Sequence, residues 1–132
     1  MNLKLLSKGN VLVFGDIILD RYISGSVDRV SPEAPVPVLK PSDEDIRLGG
    51  AANVALNLSS LGSKATLIGV TGKDDSSDQV RALLEKNKIR NALSKSVNPT
   101  ISKLRFLAGQ QQLIRIDSCL LYTSPSPRDL RA

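Results

Sequence analysis

Between Gly49 and Gly72 the glycine spacing indicates a turn, a helix, a second turn and a strand. Gly49 and Gly50 come directly before an amphipathic segment that ends at Gly62, and an apolar segment follows it. Because glycine has no Cβ and adopts positive φ, such a turn brings backbone close to a ligand. The N–H groups that begin the helix then point toward that ligand. A tight turn made only for close packing is the alternative interpretation of the same pair.

The rest of the chain alternates between apolar runs and turn residues, which predicts an α/β fold. Residues 11–14 predict a buried parallel strand whose end brings Asp16 and Asp20 to the ligand-facing edge of the sheet. A helix over residues 51–61 is expected to bury Val54, Ala55, Leu58 and Leu61. The other predicted elements are short lid strands at 22–27, 36–40 and 45–48, a strand at 65–70, a helix from 74 to about 88, and a hairpin of 100–108 with 111–117.

The composition excludes several classes of protein. The chain has no histidine and one cysteine, Cys119, so imidazole-based sites, zinc clusters and internal disulfides are excluded. The net charge is +5, but the basic residues are scattered and aromatic residues make up 3% of the chain, which argues against nucleic-acid binding. No segment has the pattern of a signal peptide or a membrane span, so we expect a cytoplasmic protein with no membrane partner.

The character of the sequence changes at residue 118. The segment 118–132 contains Ser-Pro-Ser-Pro, which suits neither a helix nor the interior of a strand. A disordered linker is one interpretation, and resemblance to translated sequencing-adapter read-through is the one we favour. The expected domain therefore covers residues 1–117, with lid strands at about 22–48.

Residues 49–72 resemble the first signature of the ribokinase-like (PfkB) carbohydrate kinases. The segments 15–22, 29–38, 99–105 and 110–117 are similar to the kinase domain of heptose 7-phosphate kinases in that family. The resemblance implies the N-terminal part of a ribokinase-like fold, with a mainly parallel sheet, flanking helices and a small β lid. It also implies a homodimer formed through the lid strands.

The resemblance further implies an activity. The parent enzymes transfer the γ-phosphoryl group of ATP, with Mg²⁺, to the anomeric hydroxyl of D-glycero-D-manno-heptose 7-phosphate, in ADP-heptose synthesis for the lipopolysaccharide core. Their catalytic base is the aspartate of a Gly-Ala-Gly-Asp segment, and residues 1–132 contain no such segment. We therefore expect no catalytic base, no metal ligands and no phosphoryl transfer from these residues alone.

The same resemblance implies roles for five residues near the Gly-Gly turn. Asp20 corresponds to the carboxylate that accepts hydrogen bonds from sugar hydroxyls, and Asp16 is a second carboxylate nearby. The backbone of Gly49 and Gly50 is expected to press against the sugar, and Asn53 to hydrogen-bond to it. A turn or cap residue is the alternative role for each of the two aspartates.

Lys103 and Arg105 alternate with apolar residues on a predicted strand, so both side chains face one side of it. Such a cationic pair suits the 7-phosphate of the substrate. Surface charge on a solvated sheet face is the alternative.

Two other functions remain open from the sequence. One is another PfkB sugar kinase, such as a ribokinase or a fructokinase. The other is a non-catalytic module that binds sugar or forms a dimer. A dinucleotide-binding domain is disfavoured, because the first strand is not followed by Gly-x-Gly-x-x-Gly.

Overall fold

The computed structural model describes Leu5 and residues 7–118, and the segment from 119 to 132 lies outside the described residues. The described residues form two sheets, whose strands interleave along the sequence, and two long helices. In chain order they are β1 (Asn10–Phe14), β2 (Ile17–Val30), β3 (Pro37–Gly50), α1 (Ala51–Ser60), β4 (Lys64–Thr71), α2 (Asp75–Lys86), β5 (Arg90–Lys95), β6 (Ile101–Ala108) and β7 (Gln111–Ser118).

The first sheet is parallel and has the order β1–β4–β5. Helix α2 connects β4 to β5, which is the crossover that neighbouring parallel strands require. Both helices pack on one face of this sheet, where Leu67 of β4 and Val80 of α2 are fully buried. The predicted α/β class is confirmed.

The second sheet is mixed and has the order β3–β2–β6–β7. Strands β2 and β6 are parallel, and each forms an antiparallel pair with its other neighbour. The predicted lid over residues 22–48 therefore belongs to a larger sheet, which also includes β6 and β7. This sheet joins the first one at Ile17 and Leu19, whose side chains are fully buried in the shared core.

The prediction of three short lid strands is wrong, because the chain forms two strands of 14 residues each. Pro41 lies within β3, and it is tolerated because β3 is an edge strand, where a missing N–H need not break a ladder. Register shifts after Ser24 and after Val27 accommodate the irregular pairing. Strand β5 was not predicted from the sequence, because it has no run of buried apolar residues. Its most buried apolar residue, Leu93, is only partly buried.

The predicted apolar faces are only partly correct. Helix α1 buries Ala52 and Ala55, whereas Val54 and Leu61 are about half exposed. The helix turns its small residues toward the sheet, and these residues allow it to lie close to the strands. Strand β1 is parallel as predicted but buried on one face only, because helix α1 packs on that face and Phe14 is exposed on the other.

Local signals at the helix ends are confirmed. Gly62 has φ of +91° just after α1, as expected for a residue that ends a helix in the left-handed conformation. Asp74 caps α2 by accepting a hydrogen bond from the backbone N–H of Ser77. None of the helices in the described part of the chain is long and apolar enough to cross a membrane.

Candidate functional site

A cavity of about 460 Å³ lies where the edge strand β3 runs into helix α1. Four of the seven predicted site residues line it: Asp20, Gly49, Gly50 and Asn53. Its other lining residues are Tyr22, Ile46, Arg47, Leu48, Leu56, Leu83 and Asn87. Because the family resemblance predicts that these four residues bind a sugar, we call it the sugar-site cavity.

The Gly-Gly turn brings backbone directly against the carboxylate of Asp20. Gly49 pairs with Ile18 across the antiparallel β2–β3 ladder, two residues from Asp20 on the same strand. A Cβ added at Gly49 would overlap Oδ2 of Asp20, so only glycine leaves space for that oxygen. The turn therefore shapes the wall of the cavity, as the spacing predicts.

Gly50 begins α1 with a conformation that other residues adopt with strain. Its φ is +58° and no side chain caps the helix at this position. The backbone N–H of Ala51 instead donates to the carbonyl oxygen of Asp16 at 2.9 Å. A Cβ on Gly50 would overlap that carbonyl oxygen. Asn53 stands in the first turn of the helix that this contact fixes.

Asp16 itself lies outside the sugar-site cavity. It lines a separate groove of about 330 Å³ at the carboxyl ends of β1 and β4, together with Thr71 and Asn98. Its carbonyl helps begin α1, which is the local structural role that the sequence left open for this residue. The structure therefore brings Asp20 into the cavity and separates Asp16 from it.

Arg105 of β6 forms an ion pair with Asp20. Its Nη1 donates to Oδ1 of Asp20 at 2.7 Å, and each side chain is 18% exposed. The hydrogen bond to Asp20 raises the pKa of the Arg105 guanidinium above its ordinary value, because it favours the charged form. The contact depends on the parallel pairing of β2 with β6, which places Arg105 opposite Tyr22.

Lys103 is the register partner of Asp20 on β6 and lies on the same sheet face as Arg105. It is half-buried, does not line the sugar-site cavity, and forms no hydrogen bond or ion pair within the described part of the chain. The two cations predicted as a pair therefore have different surroundings.

Tyr22 and Arg47 line the cavity but were not among the predicted site residues. The guanidinium carbons of Arg47 and Arg105 lie 4.9 Å and 5.0 Å from the ring centre of Tyr22, within cation–π range. Arg47 also forms an exposed ion pair with Asp45 at 2.6 Å. Its position two residues before Gly49 was an available signal, because alternate residues of a strand share a face.

The start of β6 is fixed by a hydrogen-bond network around Asp74. The carboxylate accepts from the backbone N–H of Thr100 at 2.7 Å and from its hydroxyl at 2.6 Å. The same hydroxyl accepts from the N–H of Gly72 at 2.9 Å. The network joins the end of β4, the start of α2 and the entry to the strand that carries Arg105.

The charges of the site suit a hydroxylated ligand with an anionic group. Asp20 is surrounded by the cations Arg47, Lys103 and Arg105, two of them its register partners. No cluster of three or more acidic, cysteine or histidine side chains that suits a metal ion occurs among the described residues. The groups present therefore do not fit Mg²⁺, and we assign no step through a metal to them.

Comparison with known proteins gives a consistent result. The sequence profile described as pfkB family carbohydrate kinase matches residues 8–119. The chain is 50% identical over 117 residues to the bifunctional protein HldE of Hydrogenovibrio crunogenus, covering 89% of this chain and 24% of that protein. It is 48% identical over 113 residues to the D-beta-D-heptose 7-phosphate kinase of Bordetella bronchiseptica, covering 85% of this chain and 36% of that one. It thus spans between about a quarter and about a third of these relatives.

Solved structures support the fold. A carbohydrate kinase from Agrobacterium tumefaciens superposes with a TM-score of 0.72 at 24% identity, covering 94% of this chain and 40% of that one. The ribokinase of Arabidopsis thaliana, complexed with ribose and ATP, superposes with a TM-score of 0.65 at 18% identity, covering 83% and 36%. The ribokinase-like architecture is confirmed for the described residues.

Proposed function

This chain belongs to the pfkB family of carbohydrate kinases, and we propose that it forms the sugar-binding part of an ATP-dependent heptose 7-phosphate kinase. One observation carries the proposal: Asp20, Gly49, Gly50 and Asn53 line a single cavity. A carboxylate, an amide and close backbone together suit a ligand with several hydroxyl groups. The relative named D-beta-D-heptose 7-phosphate kinase favours that sugar over ribose or fructose.

In the proposed site each polar group has a distinct task. Asp20 accepts hydrogen bonds from sugar hydroxyls, and Asn53 both donates and accepts. The backbone at Gly49 and Gly50 allows close approach of the sugar ring. The cations around Asp20 attract the phosphate group, since charge-assisted hydrogen bonds are the strongest available to it.

The nucleotide has a different place in the proposal. The family resemblance assigns the catalytic base to a Gly-Ala-Gly-Asp segment, which residues 1–132 do not contain. It places the nucleotide pocket in the same later half of the kinase domain. Family membership favours ATP as the phosphoryl donor, and Mg²⁺ is the metal we propose to accompany it. A kinase that uses ATP also fits the cytoplasm, where that nucleotide is available.

The sugar-binding proposal is tested by calorimetric titration of the chain with D-glycero-D-manno-heptose 7-phosphate, ribose and fructose. We expect binding of the heptose phosphate and a loss of at least tenfold in affinity for Asp20→Asn, because a hydrogen bond to a charged group contributes about 1.5–3 kcal/mol. Asp28→Asn is the control, since Asp28 is an exposed carboxylate on the same strand and lies outside the cavity. Equal affinities for the two variants would contradict the proposal.

Phosphoryl transfer requires the rest of a kinase. Residues 1–117 are therefore joined to the remaining part of the Bordetella bronchiseptica enzyme, and ATP consumption is followed with and without the heptose phosphate. Turnover that depends on the heptose phosphate is the expected result. A preference for ribose or fructose would favour another sugar kinase of the family.

Association of two copies through the second sheet is a further part of the proposal. Leu104, Phe106, Ile114 and Ile116 share the sheet face opposite to Arg105, and the last two side chains are about half exposed. An exposed apolar strip of this kind favours contact with another protein surface. The family resemblance implies that the partner is a second copy of the chain.

We expect Ile116→Lys to shift the chain from dimer to monomer in sedimentation or light-scattering measurements. A charge placed within an apolar interface is desolvated without a partner and so weakens association. Val97→Lys is the control, because Val97 is 93% exposed and lies on a loop outside this sheet. A wild-type chain that is monomeric at high concentration would overturn this part of the proposal.

A further inference from the structure

The two cations assigned to the phosphate group differ in what they contact. Arg105 is committed to Asp20 through a short ion pair, and both side chains are largely buried. Lys103 lies beside Asp20 on the same face but forms no ion pair among the described residues. A guanidinium that is already paired is less available to a phosphate than an unpaired ammonium.

Asp20 is held from both sides of its carboxylate. Oδ1 accepts from Arg105, while Oδ2 lies against the Cα of Gly49, where an added Cβ would overlap it. This arrangement restrains the carboxylate of Asp20, a residue that lines the sugar-site cavity. A binding group gains precision when a neighbouring residue locks its orientation.

Arg105 is in turn held by the ring of Tyr22. Its guanidinium carbon lies 5.0 Å from the ring centre, and Tyr22 is its direct register partner on β2. The second guanidinium on the same ring, from Arg47, comes from β3 on the other side of β2. Asp20 and Tyr22 of β2 therefore restrain Arg105 on the neighbouring strand β6.

We infer that Arg105 is a positioning residue that orients Asp20 toward the sugar hydroxyls, and that Lys103 supplies the charge for the phosphate group. The inference rests on the proposed function, since it divides the tasks within that site. It separates recognition of the sugar, through Arg105 and Asp20, from recognition of the phosphate, through Lys103.

The test compares two ligands that differ only in the phosphate: D-glycero-D-manno-heptose 7-phosphate and D-glycero-D-manno-heptose. Both are titrated calorimetrically into the full 132-residue chain and its variants. For Arg105→Gln we expect the affinity for both ligands to fall by a similar factor, about tenfold or more, because Asp20 loses its orientation. For Lys103→Gln, the matched control, we expect a loss of about tenfold for the phosphorylated sugar only.

A double-mutant cycle adds a second readout. If Arg105 acts through Asp20, then Arg105→Gln has little further effect once Asp20→Asn is present, because the two residues work as one unit. Arg105→Lys keeps the positive charge and is expected to recover part of the affinity for both sugars. A melting curve shows whether Arg105→Gln folds. If it does not, Arg105→Lys takes its place in the comparison of the two sugars.

The outcomes are distinct. If either Arg105 variant weakens only the phosphorylated sugar, the inference is overturned while the proposed function stands. If the effects of Arg105→Gln and Asp20→Asn are additive, Arg105 does not act through Asp20. If the wild-type chain binds neither sugar, the proposed function itself fails and the inference fails with it.

Discussion

Gly50→Ala is expected to lower the free energy of unfolding by about 2–4 kcal/mol, an estimate that adds backbone strain to an overlap. Gly50 has φ of +58°, where an alanine side chain is strained. Its Cβ would also meet the carbonyl oxygen of Asp16, which accepts the first N–H of α1. Either the helix start or the carbonyl must therefore move. Urea denaturation followed by circular dichroism measures the loss.

A control at a second glycine of similar φ shows what an alanine costs where its Cβ overlaps no atom. Gly109, in the turn between β6 and β7, has φ of +59°, and a Cβ added there would meet nothing within 4 Å. Gly109→Ala is therefore expected to cost only the backbone strain, about 1–2 kcal/mol. Equal costs at the two glycines would show that the overlap with the carbonyl oxygen of Asp16 adds nothing to the cost at Gly50.

The features that were correctly predicted from the sequence are those set by neighbouring residues. The Gly-Gly turn, the helix-ending Gly62 and the acidic start of α2 each depend on backbone conformation or on caps within a few residues. The grouping of Asp20 with Gly49 and Asn53 followed from the family resemblance. Local chemistry and that resemblance together were sufficient for one wall of the cavity.

The other wall depends on contacts between distant segments. Leu83 of α2 and Asn87, just after that helix, reach the cavity, and no local pattern relates them to the Gly-Gly turn. The ion pair of Arg105 with Asp20 joins residues 85 positions apart. The ion pair exists only because β6 pairs in parallel with β2 in one register. Many registers are compatible with the same alternation of apolar and charged residues, so the sequence pattern does not predict this contact.

The separation of Asp16 from the site has a similar origin. Asp16 and Asp20 are close in sequence, so both appeared suited to one ligand. The chain changes sheets between them, because β1 ends at Phe14 and β2 begins at Ile17 in the second sheet. Asp16 stays near the end of the first sheet while Asp20 is carried away with the second.

Asp74→Ala is expected to destabilise the chain by about 2–4 kcal/mol, because it removes a helix cap and leaves buried donors unpaired. The carboxylate accepts hydrogen bonds from Ser77 and from both donors of Thr100, a residue that is 3% exposed. Asp75→Ala is the control, since Asp75 is exposed in the first turn of the same helix. Its expected cost is about 0.3–1 kcal/mol, from the helix dipole alone. Thermal and urea unfolding measure both.

The pH dependence identifies the charged form as the stabilising one. Partial burial raises the pKa of Asp74, but the hydrogen bonds from Thr100 and Ser77 outweigh it and hold the pKa below its ordinary value of 3.8. The ionised carboxylate is therefore favoured in the folded state, and its contribution is fully present above the unfolded pKa. It is lost as the pH falls through the folded pKa.

The difference in stability between wild type and Asp74→Ala is thus expected to be constant above about pH 5 and to shrink below about pH 4. Asp74→Asn keeps an acceptor oxygen for the cap, so it is expected to cost less than Asp74→Ala and to abolish most of this acid-dependent part. A gap between wild type and Asp74→Ala that persists unchanged below the pKa would mean that the neutral acid holds Thr100 equally well. In that case the entry to β6, and with it the position of Arg105, depends on the shape of Asp74 rather than on its charge.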